Sequence, residues 1–281
     1  MKNIENKKNL CSDWFKLLRN KICDEIQGFE EEKIKFKKQK WNRTSNKKNN
    51  LGGGEMGILR GKIFEKAGVN ISTVYGPIPD KLKGKIPGSN KAKRFWASGI
   101  SVVIHPYSPK IPAVHMNTRF IVTNKAWFGG GMDITPSNLH SKESKRIANI
   151  FHQNIKKICD EYEKGSYLKF KKWCDEYFYL PHRGESRGLG GIFYDYLNSG
   201  NWEQDLDFTK NVGKTFIKSF SQIVRMTKNL KWNVKDKEIQ YHRRSRYTEF
   251  NLLYDRGTKF GLQTNGNVDA ILMSLPPSTG W

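Results

Sequence analysis

The chain has 281 residues, 37% of them apolar and 12% aromatic, enough to bury a substantial core as one large domain or two small ones. Its formal charge of +23 invites nucleic acid, acidic lipid or an anionic small molecule, yet lysine outnumbers arginine 37 to 13, Asn-Lys runs such as "SNKKNN" (45–50) recur, and no basic-aromatic module forms; a lysine-rich enzyme surface is the simpler reading. The four cysteines, Cys11, Cys23, Cys159 and Cys174, lack CxxC or zinc spacing and predict reduced thiols in the cytoplasm, while the absence of a leader-like h-region and of any run near ~18 apolar residues argues against a membrane span.

Along the chain, Phe15, Leu18, Ile22, Ile26 and Phe29 recur at helical spacing behind Ser12, which predicts a helix over 12–32 capped by that serine. Residues 33–50 read as a mobile Lys/Asn-rich segment, so the expected organisation is an N-terminal helix and basic segment over 1–50 and a catalytic domain over 51–281. "LGGGEMGILRG" (51–61) reads as a loop or turn. Strands are expected at 69–76, 95–106, 113–124 and within "AWFGGGMDITP" (126–136), where β-branched residues are bounded by Gly or Pro. Helices follow at 141–164, about 168–178 and 207–229. "TEFNLLYDRG" (248–257) and "VDAILMSLPP" (268–277) read as a last pair of strands. Neighbouring strands with short turns and helices in blocks predict an α+β fold, a large antiparallel sheet flanked by helices on both faces.

Candidate chemistry concentrates on the strand at 113–122. Side chains alternate faces, so Val114, Met116, Thr118 and Phe120 share one face and His115, Asn117, Arg119 and Ile121 the other. Paired with the strand before it, Ser101, His105, His115, Asn117 and Arg119 line one polar patch, poor in the Lys and Glu of an ordinary solvated face. In "WFGGGMD" (127–133), three glycines let a backbone approach a flat ligand, and Asp133 is either a turn residue or a functional carboxylate. In "HRGESRGLGG" (182–191), Arg183 and Arg187 can clamp carboxylates, or one can pair internally with Glu185. "YDRGTKFG" (254–261) reads as a turn carrying Asp255 and Arg256, and "RRSRY" (243–247) as a basic surface cluster. His105, His115, His152 and His182 show no i, i+4 pair and no HExxH spacing. Together these residues suit a large, flat ligand bearing several carboxylates.

At these residues the chain resembles the oxygen-dependent coproporphyrinogen III oxidases. "KKWCDEYFYLPHRGESRGLGGIF" matches that family's signature, and "GVNIS", "GISVVIHP", "HMNTRF", "WFGGGMDITP", "EFNLLYDRGTKFGLQT" and "ILMSLPP" follow in family order over roughly 51–277. The resemblance implies a homodimer that converts two propionates of coproporphyrinogen III to vinyl groups, giving protoporphyrinogen IX. Dioxygen would be co-substrate, with no organic cofactor and no nucleic acid or integral membrane partner. By motif, His115, Asp133 and Asp255 take the catalytic roles. Ser101, Asn117, Thr118, Arg119, Arg187, Arg256, Asn265, Gly266 and Asn267 take substrate-binding ones. His105, His115, His152 and His182 occupy positions assigned to a divalent metal in some members. Asn267 stands where the family carries arginine, Tyr196 where it often carries a second aspartate, and the chain is expected to be short at its C-terminus. Those departures leave a degenerate, non-catalytic tetrapyrrole-binding homologue as the alternative. A basic nucleic-acid-binding protein and a metal-dependent hydrolase stand further off.

Overall fold

A computed structural model describes residues 2–44, 49–78, 80, 83–84, 86–263 and 266–281. Its centre is a seven-stranded, wholly antiparallel sheet of β1 (Lys37–Thr44), β2 (Asn50–Leu59), β3 (Phe64–Pro77), β4 (Arg94–Pro106), β5 (Ala113–Val122), β6 (Ala126–Thr135) and β9 (Gly191–Leu197), in that spatial order. The two-residue strands β7 (Tyr179–Leu180) and β8 (Glu185–Ser186) pair separately. The α+β architecture expected from the sequence is present.

One face of the sheet carries the main core. Ala67, Val69, Ile100, Val102, Ile104, Val114, Met116, Phe120, Met132 and Ile134 are buried there. They lie beneath α1 (Lys2–Gln27), α2 (Lys142–Tyr162) and α4 (Trp202–Thr227). The helices present apolar stripes for the reason the spacing predicted: Ile147, Phe151, Ile155 and Cys159 on α2, and Phe208, Val212, Phe216 and Phe220 on α4, are all buried. Ser141 caps α2 by accepting from the Ser144 amide at 3.1 Å, and Asn201 caps α4 by accepting from the Gln204 amide at 3.2 Å. α3 (Ser166–Tyr177) leans on β9.

The second face is covered only in part. α5 (Val234–Leu253), α6 (Arg256–Gln263) and α7 (Val268–Leu272) lie over its edges: Tyr247 of α5 packs on His105, and Met273, just past α7, sits against Gly68.

Five elements differ from the sequence reading. α1 begins at Lys2, so Ser12 is inside it and bonds the Asn9 carbonyl instead of capping; Cys11 and Trp14 extend the buried stripe. The basic segment at 33–50 contains β1, and "LGGGEMGIL" is β2, so the boundary expected at 50 falls within a paired hairpin. Residues 248–253 finish α5 and 268–272 form α7, where strands were expected. The physical reason is the composition of α5's inward face. Gln240, Arg244, Tyr247 and Asn251 recur at helical spacing and are buried, but they are mostly polar, so no apolar period marks the helix. For the same reason "RRSRY" is not a surface cluster: Arg244 and Arg246 are buried.

Candidate active site

Cross-strand register places the site. Asn70, Ser101, Asn117, Gly131 and Phe193 follow one another across β3, β4, β5, β6 and β9. One row along, Gly54, Ser72, Gly99, Arg119 and Gly129 do the same from β2 to β6; on the other side, Val103 opposes His115, and His115 opposes Asp133. The expected polar patch therefore exists, as a floor of small residues, carboxamides and one arginine. Thr118 is not part of it. Its side chain points into the core beside Met116 and Phe120, fully buried.

A continuous hydrogen-bonded chain runs along one border of this floor. Arg187 Nη2 donates to Asp133 Oδ2 at 2.6 Å, and His115 Nδ1 donates to Asp133 Oδ1 at 2.8 Å. Asn117 Nδ2 donates to His115 Nε2 at 3.2 Å, and Arg119 Nη1 donates to Asn117 Oδ1 at 3.2 Å. Arg119 Nη2 then pairs with Asp195 at 2.9 Å. Donor and acceptor types fix the protons. An ionised carboxylate only accepts, so Nδ1 of His115 carries the hydrogen and Nε2 holds the lone pair.

Burial sets the charge states. Asp133 is 2% exposed, and burial alone would raise its carboxyl; the Arg187 guanidinium and the His115 hydrogen bond outweigh that, so it lies below the ordinary carboxylate range. Arg187, 1% exposed, is enclosed by the rings of Phe178, Tyr247 and Phe250 at 3.8, 4.5 and 4.9 Å. Its carboxylate partner is the protein's own Asp133, and it acts on a ligand only through the chain it anchors.

Asp195 reaches Arg119 because β9 is bulged. Phe128 pairs with Leu197 and Gly130 with Tyr194, so Asp195 and Tyr196 together oppose Gly129. Tyr196 takes φ 57°, a left-handed conformation uncommon for a residue with a side chain. A Cβ on Gly129 would stand 2.5 Å from Asp195 Oδ1 and 3.0 Å from Arg119 Nε, so the ion pair occupies the space that glycine leaves.

The remaining expected residues divide. Asp255 accepts from the Tyr177 hydroxyl at 2.8 Å and from the Thr258 amide at 2.6 Å, at the start of α6. Arg256 lies exposed over the stacked rings of Tyr177 and Phe193, whose centroids are 4.5 Å apart. Both therefore sit at the rim of the floor where Phe193 ends its row. Asn267 caps α7 by accepting from the Ala270 amide at 2.8 Å, with Gly266 just before it; Asn265 lies outside the described residues.

The four histidines do not converge. His105 Nε2 donates to the Ser274 carbonyl at 2.9 Å, and its burial pushes the imidazole down to about 3. His152 Nε2 donates to the Leu189 carbonyl at 2.8 Å, and its Nδ1 accepts from Tyr167 at 3.0 Å. His182 bonds Glu249 at 2.8 Å and Tyr254 at 2.9 Å. Among the described residues no group of three His, Cys, Asp or Glu is placed to hold an ion. The histidine set expected to bind a divalent metal thus does not fit one within this chain.

His182 and Arg183 belong to a different cluster. Arg183 clamps Glu249 with two bonds of 3.0 and 2.8 Å, and Glu249 also accepts from Arg246 at 3.4 Å and Trp281 Nε1 at 2.9 Å. Glu185, the expected partner, instead pairs with Arg246 at 2.7 Å and Arg243 at 3.5 Å. Asp195, Glu249, Tyr177 and Phe178 were given no site role by the sequence reading, although Tyr177 and Phe178 lie inside the signature run, Glu249 opens another motif and Asp195 follows closely after the glycines.

A glycine-paved polar sheet face bordered by an Arg–Asp–His chain has room for a flat ligand and presents an oriented imidazole and an arginine to it. The model of the family "Coproporphyrinogen III oxidase" matches residues 11–281, and the chain belongs to that family. It is 54% identical over 278 residues to the oxygen-dependent coproporphyrinogen-III oxidase of Rickettsia rickettsii (strain Sheila Smith), covering 98% of each chain. It is 53% identical over 281 residues to the enzyme of the same name from Rickettsia bellii (strain RML369-C), covering 98% of this chain and 99% of the relative. The expectation of a short C-terminus is corrected by that coverage: these relatives are matched over nearly their whole length.

Proposed function

We propose that this chain is an oxygen-dependent coproporphyrinogen III oxidase, converting two propionates of its substrate to vinyl groups. One observation carries the site assignment: the ionised, buried Asp133 holds His115 with its Nε2 lone pair turned to the floor where Ser101, Asn117 and Arg119 meet. The near-full-length relatives favour this reading over a degenerate binder, a nucleic-acid protein or a hydrolase.

The chemistry balances as follows for each propionate. The β-carbon of the ionised arm gives up a hydride equivalent, the bond to the carboxylate breaks, and its electron pair becomes the vinyl π-bond as carbon dioxide leaves. Dioxygen accepts the hydride equivalent together with one proton and departs as hydrogen peroxide. His115 is the group that moves the proton. Its Nε2 takes the proton from a pyrrole N–H, activating the electron-rich macrocycle, and passes it to the reduced oxygen, and a proton from solvent restores the pyrrole N–H once carbon dioxide has left. Asp133, anchored by Arg187, holds the imidazole in that tautomer and stabilises it when charged. Arg119 and Arg256 bind propionates, Ser101 and Asn117 orient the arm, and Asp255 places Arg256 against Tyr177. With Asn267 engaged as a helix cap, Gly266 and Asn267 meet substrate through their main chain.

The exposed apolar side chains of Leu252, Leu253, Leu262 and Val268 on α5–α7 fit the homodimer face that this family reading calls for. The cytoplasm suits four free, buried cysteines, and no helix among the described residues is long and apolar enough to cross a membrane.

The test is turnover of coproporphyrinogen III in the dark, with and without oxygen and chelator, products being separated by fluorescence chromatography. Protoporphyrin formed only with oxygen is the expected result. Tight binding without product would restore the degenerate-homologue reading.

A further inference from the structure

The polar floor continues past Ser101, the last residue of it given a role by the family resemblance, onto β3 and β1. Asn70 stands directly opposite Ser101 on the same face. Trp41, on β1, lies against Gly54: a Cβ there would meet the indole at 2.6 Å, so the ring occupies the space the glycine leaves. Its Nε1 donates to Asn70 Oδ1 at 3.0 Å. Trp41 is half-buried, packed beside Met56, Ala270 and Met273.

The donor set of that hydrogen bond has a consequence. Indole can only donate, so it holds the carboxamide of Asn70 with oxygen toward β1 and the NH2 group away from it. That NH2, like the Ser101 hydroxyl beside it, has no partner among the described residues, and both residues are half-buried on the open floor. An oriented amide donor without a protein acceptor is suited to an anionic oxygen. Two strand spacings across the sheet and a two-residue step along β5 separate Asn70 from Arg119, about 12 Å in all. A single tetrapyrrole can bridge that distance with two of its carboxylate arms.

We propose that Asn70 is a substrate-contacting residue that donates to a second carboxylate of the macrocycle, and that Trp41 is the positioning residue that fixes its amide. The proposal rests on the porphyrinogen reading of the floor and extends it to β1–β3. His115 stands two strands away in the neighbouring row, and neither an indole N–H nor a carboxamide is an acid or base near neutral pH, so the pair sets how the macrocycle lies and does not take part in proton movement.

The decisive variant is Asn70→Asp. It keeps an acceptor for Trp41 and nearly the same shape, but replaces the NH2 donor with an anionic oxygen. Loss of a hydrogen bond to a charged group corresponds to about tenfold in affinity or more. The expected result is a KM for coproporphyrinogen III raised about tenfold, with kcat within about twofold and an unchanged melting temperature. Trp41→Phe, which keeps a ring and loses the N–H, raises KM less, and its effect disappears in an Asn70→Ala background because it acts through that amide. A KM for Asn70→Asp equal to that of the parent overturns the inference, as does a Trp41→Phe effect that persists unchanged without Asn70. Parent protein that fails to turn over the porphyrinogen overturns the functional reading instead, so the two failures are separable.

Discussion

Two charge clusters in this molecule use the same residue types and do different things. One is Arg187–Asp133–His115–Asn117–Arg119–Asp195; the other gathers Arg183, His182, Arg246 and Trp281 around Glu249. Each contains a carboxylate held by arginine and histidine. In the second, Glu249 accepts four side chains and His182 is bonded at both ring nitrogens, so the cluster closes on itself and ties α5, the β7–β8 turn and the last residue together. In the first, the buried end is rigid and the other end lies on an open floor, and the histidine keeps a lone pair that only a carboxamide touches. A charge network becomes a site when it runs from a buried anchor to an accessible surface; a closed one holds structure.

The largest effect should come from breaking the anchor. Asp133→Asn removes the counter-charge of a buried guanidinium and offers His115 Nδ1 an amide that can present the wrong group. Turnover should fall by about 10²-fold or more, with a lower melting temperature. Retention of near-normal turnover would leave His115 without its assigned role. Glu249→Gln should do the converse, lowering the melting temperature by several degrees while kcat stays close to that of the parent. The Arg183 hydrogen bonds hold the Glu249 carboxyl at about 2, below its ordinary value of 4.5. A depressed carboxyl stabilises the fold fully above its ordinary value and loses that contribution as pH falls from 4.5 toward 2. Thermal unfolding across that window should show a steeper acid loss in the parent than in Glu249→Gln. A collapse of turnover in Glu249→Gln with stability intact would merge the two clusters into one site.

A smaller effect sharpens the open end. Gly129→Ala places a methyl where the Arg119–Asp195 pair now lies, and the atoms it would meet are side-chain ends that can shift. The fold should survive, and the displaced guanidinium should raise KM about tenfold with little change in kcat. Unchanged KM would remove Arg119 from propionate binding.

The floor was largely legible before any coordinates. Period-two alternation at 113–122 put His115, Asn117 and Arg119 on one face, and the register confirms it. What alternation could not show is which neighbours the tertiary fold supplies. Thr118 came with its motif triplet but belongs to the core by parity. Asp195 is aimed by a bulge, a feature of two strands together that no single stretch displays. α5 was hidden because its buried face is made of arginines, glutamate and asparagine, which read as surface until the carboxylates that neutralise them are in view. Trp41 was hidden by its surroundings, a lysine-rich run whose alternate residues face solvent while the indole folds onto a glycine.

The smallest expected effect concerns Asn267, where family resemblance and local geometry assign different work to one side chain. The resemblance places it against substrate; the structure shows its oxygen accepting from the Ala270 amide at the start of a five-residue helix. Loss of an N-cap costs about 1 kcal/mol. Asn267→Ala should therefore lower the melting temperature slightly and leave KM unchanged, whereas Asn267→Ser, which keeps a capping oxygen, should match the parent in both. A KM that rises in Asn267→Ala at constant stability would show that the side chain leaves the cap to meet a propionate. In that case α7 would join β3 to β5 as a wall of the site, and the arginine that the family carries at this position would be replaced here by a shorter polar group with the same duty.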